Sequence, residues 1–504
     1  MEIDIKKLHE NPPYGMIAIL FLGGFVALLN NTLLNVALPS MMEDFSIKPS
    51  QVQWVSTGYM LMSGILIPVS AYFIQRYTNR QLFLTAMILF TMGTTIAAFS
   101  PVFVALVIGR MIQAAGASMM MPLLMNVMLI AFPVERRGVA MGLFSLVMFT
   151  APAVGPTLSG WIVQEYSWRL LFVLIIPFGV LTIIYAFFRL KNITPTRDVK
   201  LDFPSLVLSS VGFGGLLYGF STAGDNGWGA FSTYGTIIIG AIALITFVIR
   251  QFRLEEPMLD FRIYRYPMFA LASAIAIVMS MAMFSGMILT PVYVQMIRGI
   301  SPFESGILML PGAILMGLMS PIVGRLFDRY GAKAMAIIGL TITIVTTYYL
   351  SKLQVDSGYY YIMTLYTVRM MGMSLVMMPV MTNGLNELPM ISNPHGTAMN
   401  NTLQQVSGAI GTALLLTIMT NRTEATGLKL ATEAANSGGP INEAEIEIQS
   451  MLDGVTFSFF ISTLIAIIAL ILAFFIKRVT PPSYTGFEDK GELVKAEEVE
   501  VEKT

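Results

Sequence analysis

Runs of about 20 mostly apolar residues recur along this chain, separated by short polar connections. A helix rising 1.5 Å per residue needs about 20 apolar residues to cross the hydrocarbon core of a bilayer. That ruler predicts fourteen membrane-spanning helices, at 16–38, 54–74, 82–100, 102–127, 138–163, 170–189, 204–223, 233–252, 267–293, 303–325, 334–352, 359–382, 396–420 and 455–476. The first run follows a short polar start, MEIDIKKLHENPPYG. It is too long for a signal-peptide core and has no small-residue cleavage site beyond it, so it reads as a retained span.

Composition agrees with lipid as the solvent. Of 504 residues, 55% are hydrophobic and only 12% charged, with a mean hydropathy of +0.71. A soluble domain carries about 25% charged residues. The 30 basic and 30 acidic residues balance, which gives no reason to expect a nucleic-acid partner. With no cysteine, disulfides, thiol catalysis and cysteine-ligated metal are excluded. If the N-terminus is cytoplasmic, the fourteen-span topology puts 22 Lys and Arg on the cytoplasmic side, 6 outside and 2, Arg110 and Arg369, within spans. That bias follows the positive-inside rule and predicts both termini inside. Residues 421–454 are expected as an acidic, partly amphipathic outer loop, with a short surface helix as one form of it, and 477–504 as a disordered cytoplasmic tail.

The chain carries a weak internal repeat. Gln75-Arg76-Tyr77 and Asp328-Arg329-Tyr330 lie 253 residues apart, and Arg110 in GRMIQAAG and Arg369 in VRMMGMS lie 259 apart. Two related six-span halves with two spans inserted between them account for both offsets. Such repeats characterise secondary transporters, which hold substrate between the halves near the bilayer midplane.

Four motifs add detail. The first span carries Leu29-Asn30-Asn31-Thr32-Leu33-Leu34-Asn35-Val36-Ala37-Leu38-Pro39. The loop before the eleventh span keeps Gly324, Asp328, Arg329, Gly331 and Lys333, whereas the first-half counterpart has Ala71, Gln75 and Thr78 with Arg76 and Arg80. The fourth span reads Arg110-Met111-Ile112-Gln113-Ala114-Ala115-Gly116-Ala117. The fifth holds Ala151-Pro152-Ala153-Val154-Gly155-Pro156-Thr157-Leu158-Ser159-Gly160, whose small residues and prolines suit close packing and bending. Over roughly residues 15–480 these segments resemble the major facilitator superfamily and, within it, the fourteen-span drug:proton antiporter family. The family usually has Asp where this chain has Asn30. The LNNTLLNVALP form is more similar to the lincomycin-exporter branch than to the quaternary-ammonium branch.

The resemblance implies an all-α integral membrane protein of major facilitator fold: two six-helix bundles with two extra central spans. Its expected parts are a cytoplasmic N-terminus at 1–15, a first bundle at 16–189, inserted spans and linkers at 190–266, a second bundle at 267–476 and the tail at 477–504. It implies multidrug efflux by proton exchange through alternating access, in a bacterial cell membrane, by a monomer, with small-molecule substrate, protons and lipid as partners. Arg110, Asp328, Arg329, Glu165, Gly155 and Pro156 are then candidates for proton coupling or gating. Asn30, Tyr59, Gln113, Tyr218, Tyr293, Gln295 and Arg369 are candidates for the substrate cavity. A buried arginine in lipid costs at least about 2.5–3.5 kcal/mol on insertion scales, so Arg110 should face the bundle interior.

Coupling by protons needs a titrating group, yet acids fall mainly near span ends: Glu165, Asp225, Glu304 and Asp328 are the nearest. The 38 methionines suit an adaptable cavity, as in the runs Met119–Met121 and Met370–Met373, although lipid-facing filler explains many of them equally well. No phosphate-binding G-x-x-x-x-G-K-[ST] loop appears, and the two histidines, His9 and His395, lie in unrelated regions with no cysteine beside them. Neither a catalytic cluster nor a selectivity filter is recognisable. The expectation is a transporter rather than an enzyme, without cofactor or metal. Export of one endogenous metabolite, lipid or signalling molecule is the alternative, and a non-transporting sensor or scaffold is the reading outside transport.

Overall fold

A computed structural model describes residues 12–34, 37–47, 49–52, 54–133, 136–193, 196, 201–437 and 443–479. Most of the expected tail and residues 1–11 lie outside these. The long helices are α1 (Tyr14–Leu33), α2 (Trp54–Arg76), α3 (Asn79–Ala98), α4 (Phe103–Ala131), α5 (Arg137–Glu165), α6 (Ile175–Arg189), α7 (Phe203–Asn226), α8 (Phe231–Arg253), α9 (Pro267–Val292), α10 (Pro302–Leu350), α11 (Tyr359–Asn386), α12 (Asn393–Ser437) and α13 (Glu443–Ala473). Among the described residues, twelve helices are long and apolar enough to cross a membrane. One of them, α10, covers two expected spans, because Gly331 breaks it at φ 78°, ψ 172°, a conformation open to glycine at little cost. The remaining expected span, at 138–163, lies within the 29-residue helix α5.

Local chemistry sets the helix starts. Thr78 and Gln81 form a capping box ahead of α3. Ser301 caps α10, with Pro302 following and Glu304 in the first turn. Asp202 caps α7 by accepting the Ser205 N–H at 3.1 Å. Two asparagines tie down the chain where it leaves a helical group. Asn79 donates to the Lys191 carbonyl (2.7 Å) and accepts from the Ile193 N–H (3.0 Å). Asn383 does the same to Lys477 (3.0 Å) and Val479 (3.3 Å).

Two groups of helices pack internally. In the first, α3 lies against α4 and α6, α4 against α2, and α1 against α5, α6 and α4. In the second, α10 lies against α11 and α13, and α9 against α11, α12 and α13. The groups meet along two seams, α5 with α10 and α2 with α12. Small residues allow the first seam: a Cβ added at Gly142 would stand 2.5 Å from the Ser320 carbonyl oxygen. The inserted helices α7 and α8 pair with each other, and α7 also packs on both α2 and α12.

One expectation is corrected. Residues 421–437 and 443–454 continue α12 and α13 as a helical hairpin rather than forming a separate loop. Arg422 pairs with Asp453 at 2.7 Å, and Gly454 and Gly427 admit Thr423 and Ser450 at close range.

Candidate functional site

Two buried arginines occupy equivalent places in the two groups. Arg110, on α4, is 1% exposed. Its Nη1 donates to Asn30 Oδ1 at 3.1 Å and to Gln113 Oε1, its Nε to the Val55 carbonyl at 3.4 Å, and its Nη2 to Asn31 Oδ1 at 3.4 Å. The guanidinium lies over the Tyr59 ring, 4.2 Å from its centre. Gln113 is held in turn by Thr94 of α3 at 2.7 Å. α1, α2 and α3 therefore all converge on one cation, and every partner is neutral. Burial without hydrogen bonds would be prohibitive for this charge, and the ring of acceptors offsets that cost.

Arg369, on α11, is 0% exposed. It donates from Nε to Thr347 Oγ1 at 3.1 Å and from Nη2 to the Ala282 carbonyl at 2.6 Å. Its Nη1 lies against Gly286 without a hydrogen-bond partner. Thr347 and Thr94 are 253 residues apart, the offset of the repeat, so the same wall of each group holds each arginine.

At one end of the bundle, two further contacts cross between the groups. The Gly138 N–H, in the first turn of α5, donates to Asp328 Oδ1 at 3.0 Å, and Arg137 beside it donates to Asn386 Oδ1 at 3.0 Å. The backbone carbonyl of Asp328 also accepts from Arg478 at 2.8 Å. In the other seam, the Gln75 amide nitrogen lies 3.2 Å from His395 Nε2, while His395 Nδ1 accepts the Asp260 N–H at 3.2 Å.

A small cavity opens between α5 of the first group and α11 and α12 of the second. It is lined by Met141, Phe144 and Met148 of α5, Met377, Met378, Met381 and Thr382 of α11, and Gln404 of α12. Five of the eight lining residues are methionines, side chains able to repack around different shapes.

The sequence-based candidates divide among these features. Asn30, Tyr59, Gln113 and Arg110 form one cluster, and Arg369 occupies its counterpart. Asp328 makes the contact between groups, whereas Arg329 beside it is exposed and stacks on Tyr330 at 5.3 Å. Gly155 faces α1, where an added Cβ would stand 2.2 Å from Thr32 Oγ1. The Pro156 side chain lies outside the described residues. Glu165 is exposed at the end of α5. Tyr218 meets Trp54 at 5.9 Å, and Tyr293 is fully buried with its hydroxyl donating to the Gln354 carbonyl at 2.5 Å. Gln295 is half-buried in the π-helical turn that continues α9. Neither tyrosine nor Gln295 lines the cavity. Asn30, Tyr59, Gln113 and Arg369 do not line it either. Gly138 and the cavity methionines are not singled out by the sequence, which shows Gln75 and His395 but does not join them. Met141, Phe144 and Met148 recur at helical spacing on one face of α5, a signal that the denser runs at 119–121 and 370–373 obscured.

A bundle of long apolar helices, with charge buried only at chosen points and a cavity between two similar groups, defines a membrane transport protein rather than an enzyme. Residues 20–412 match the model of the Major Facilitator Superfamily, and the chain belongs to that family. It is 50% identical over 418 residues, 83% of this chain and 79% of the relative, to the uncharacterized MFS-type transporter YhcA of Bacillus subtilis (strain 168). It is 42% identical over 466 residues, 92% of this chain and 97% of the relative, to the lincomycin resistance protein LmrB of Listeria innocua. Among solved structures, the human organic anion transporter MFSD10 (TETRAN) shares the fold with a TM-score of 0.62 at 12% identity, covering 90% of this chain and 99% of that one.

Proposed function

We propose that this protein exports small amphipathic or apolar compounds in exchange for protons, by alternating access through fourteen membrane spans with both termini in the cytoplasm. In this reading residues 16–189 and 267–476 are the two moving bundles and 190–266 the inserted pair. The methionine-lined cavity between α5, α11 and α12 carries the proposal, because it lies between the bundles and is built from side chains that adapt to shape. Its position beyond the Gly138–Asp328 contact suits a chamber closed at its cytoplasmic end. Likeness to lincomycin resistance proteins supports drugs as substrates.

Arg110 holds the first bundle's α1, α2 and α4 together through neutral acceptors that rearrange at low cost, which suits a charged group that senses the alternation. Glu165, Asp328, Arg329, Gly155 and Pro156 are placed with it as coupling or gating residues; Asn30, Tyr59, Gln113, Tyr218, Tyr293, Gln295 and Arg369 are offered as residues of the wider substrate path.

The test is uptake into inverted vesicles of lincomycin-type compounds and of an unrelated amphiphile panel, with and without a pH gradient. Gradient-dependent accumulation of several chemical classes is expected. Accumulation that ignores the gradient would remove proton coupling, and uptake of a single class would replace multidrug efflux with dedicated export.

A further inference from the structure

We propose that the chamber between the bundles accepts uncharged or anionic amphiphiles and rejects permanent cations. This rests on the export reading and specifies its substrate class. A cation leaving water for an apolar chamber must regain its lost hydration from a carboxylate or an equivalent set of acceptors. The lining offers five thioethers, the Phe144 ring, the Thr382 hydroxyl and the Gln404 amide, and no acidic side chain. An aromatic face and thioether sulfurs recover only a small part of an ion's hydration.

The deficit extends through the interior. Among the described residues, no Asp or Glu is buried. The described acids lie within a few residues of helix ends, in connections, at the Gly331 break, or on the extension of α12 and α13 beyond residue 420. The charges that are fully buried are positive. All hydrogen-bond partners of Arg110 and Arg369 are neutral, and neither forms an ion pair. Arg137, one helical turn before Met141, is also buried and donates to Asn386. Asn30 Nδ2 beside Arg110 and Nη1 of Arg369 itself have no acceptor, and the side-chain oxygens of Asn126 and Asn393 have no donor. Among the described residues the deeply buried side-chain charge is therefore positive, with the half-buried Asp328 carboxylate engaged by Gly138 at the end of the seam, and a low dielectric screens the buried charge weakly.

Matched tetraphenyl ions test this directly, because tetraphenylphosphonium and tetraphenylborate share a shape and differ in sign. Triphenylphosphine oxide supplies a neutral relative. Equilibrium binding to the purified full-length protein is measured for all three, and the chamber's share is the part lost in Met381→Trp. The anion and the neutral compound are expected to bind at least about tenfold more tightly than the cation. Gln404→Glu, which places a carboxylate on the lining, is expected to raise cation binding about tenfold and to weaken anion binding. Chamber binding of the cation as tight as that of the anion in the unaltered protein would overturn the proposal. Selective binding of the anion without transport in proteoliposomes would leave this discrimination standing and remove the export reading. Binding of none of the three would overturn both.

Discussion

The two bundles place similar contacts at the same end of the molecule and make them from different chemistry. In one seam the Asp328 carboxylate receives a backbone N–H from the first turn of α5. In the other, Gln75 stands where Asp328 stands, 253 residues earlier, and meets His395 in the first turn of α12. The first is a carboxylate on a helix N-terminus, where free N–H groups and the helix dipole favour negative charge by about 0.3–1 kcal/mol, and up to about 2 when partly buried. The second joins a neutral amide to an imidazole whose other nitrogen already serves Asp260. Charge-assisted hydrogen bonds are roughly twice as strong as neutral ones. At this end the hydrogen bond across the α5–α10 seam is therefore the stronger of the two, and the one across the α2–α12 seam the weaker. The buried arginines show the opposite bias, since Arg110 is fully ringed by acceptors and Arg369 is left with one unused N–H.

Substitutions at these points test the asymmetry. The largest effect is expected at Arg110. Arg110→Ala should lower transport about 100-fold or more while the protein still elutes as a folded species, and Arg369→Ala should cost only about tenfold. Equal losses in proteoliposome uptake would erase the difference between the bundles. Next is the charged contact. Because the chain has no cysteine, Met381→Cys is a unique reporter of access to the cavity. Asp328→Asn should speed its labelling by a membrane-impermeant maleimide about fivefold, the equivalent of about 1 kcal/mol. Gln75→Ala should change the rate no more than about twofold, and Gln75→Asp should slow it by adding the missing charge. A larger effect at Gln75 than at Asp328 would reverse the ranking of the two contacts.

The smallest effect concerns a third carboxylate at a helix start. Asp202 caps α7, and its hydrogen bonds from Arg250 hold its pKa at about 2, below the ordinary value of 3.8. A depressed carboxylate stabilises the fold fully above its unfolded value and loses that contribution as pH falls. Thermal stability should be insensitive to this group above about pH 5, then fade between about pH 4 and about pH 2. Asp202→Asn should remove that acid-side component in a melting series.

Much of the architecture was legible because lipid imposes a simple rule on length and polarity. Spans expected at 54–74 and 359–382 emerge as Trp54–Arg76 and Tyr359–Asn386. Two spans were foreseen where α10 runs, and the interruption narrows to the one residue Gly331. In the 421–454 segment the helix is more extensive than the short surface helix expected, because the acidic residues suggested a largely solvated loop. The pairing of Gly454 with Thr423 and Gly427 with Ser450, which stabilises the hairpin, is a tertiary fact. The same limit applies within the site. Periodicity shows that Tyr218 and Tyr293 are helical, but it does not show which neighbour each faces, and they pack against Trp54 and Gln354. Arg110 was placed in the interior because a charge in a span has few affordable positions. The Gln75–His395 contact joins residues 320 positions apart, and only the repeat offset hinted that Gln75 had an assigned place.

The inserted helix α7 has a mechanical consequence. Leu217 fills the notch at Gly64 of α2, and Trp228, just beyond the end of α7, donates to Thr417 of α12 at 2.6 Å. One flank of the molecule is thereby strapped across both lobes, and among the described residues the opposite flank carries no inserted helix of this kind. In the alternating-access cycle proposed above, a strap on one side would turn symmetric parting into a lopsided swing, like a book hinged along its spine. Solutes that partition from the lipid leaflet should therefore enter at the unstrapped edge.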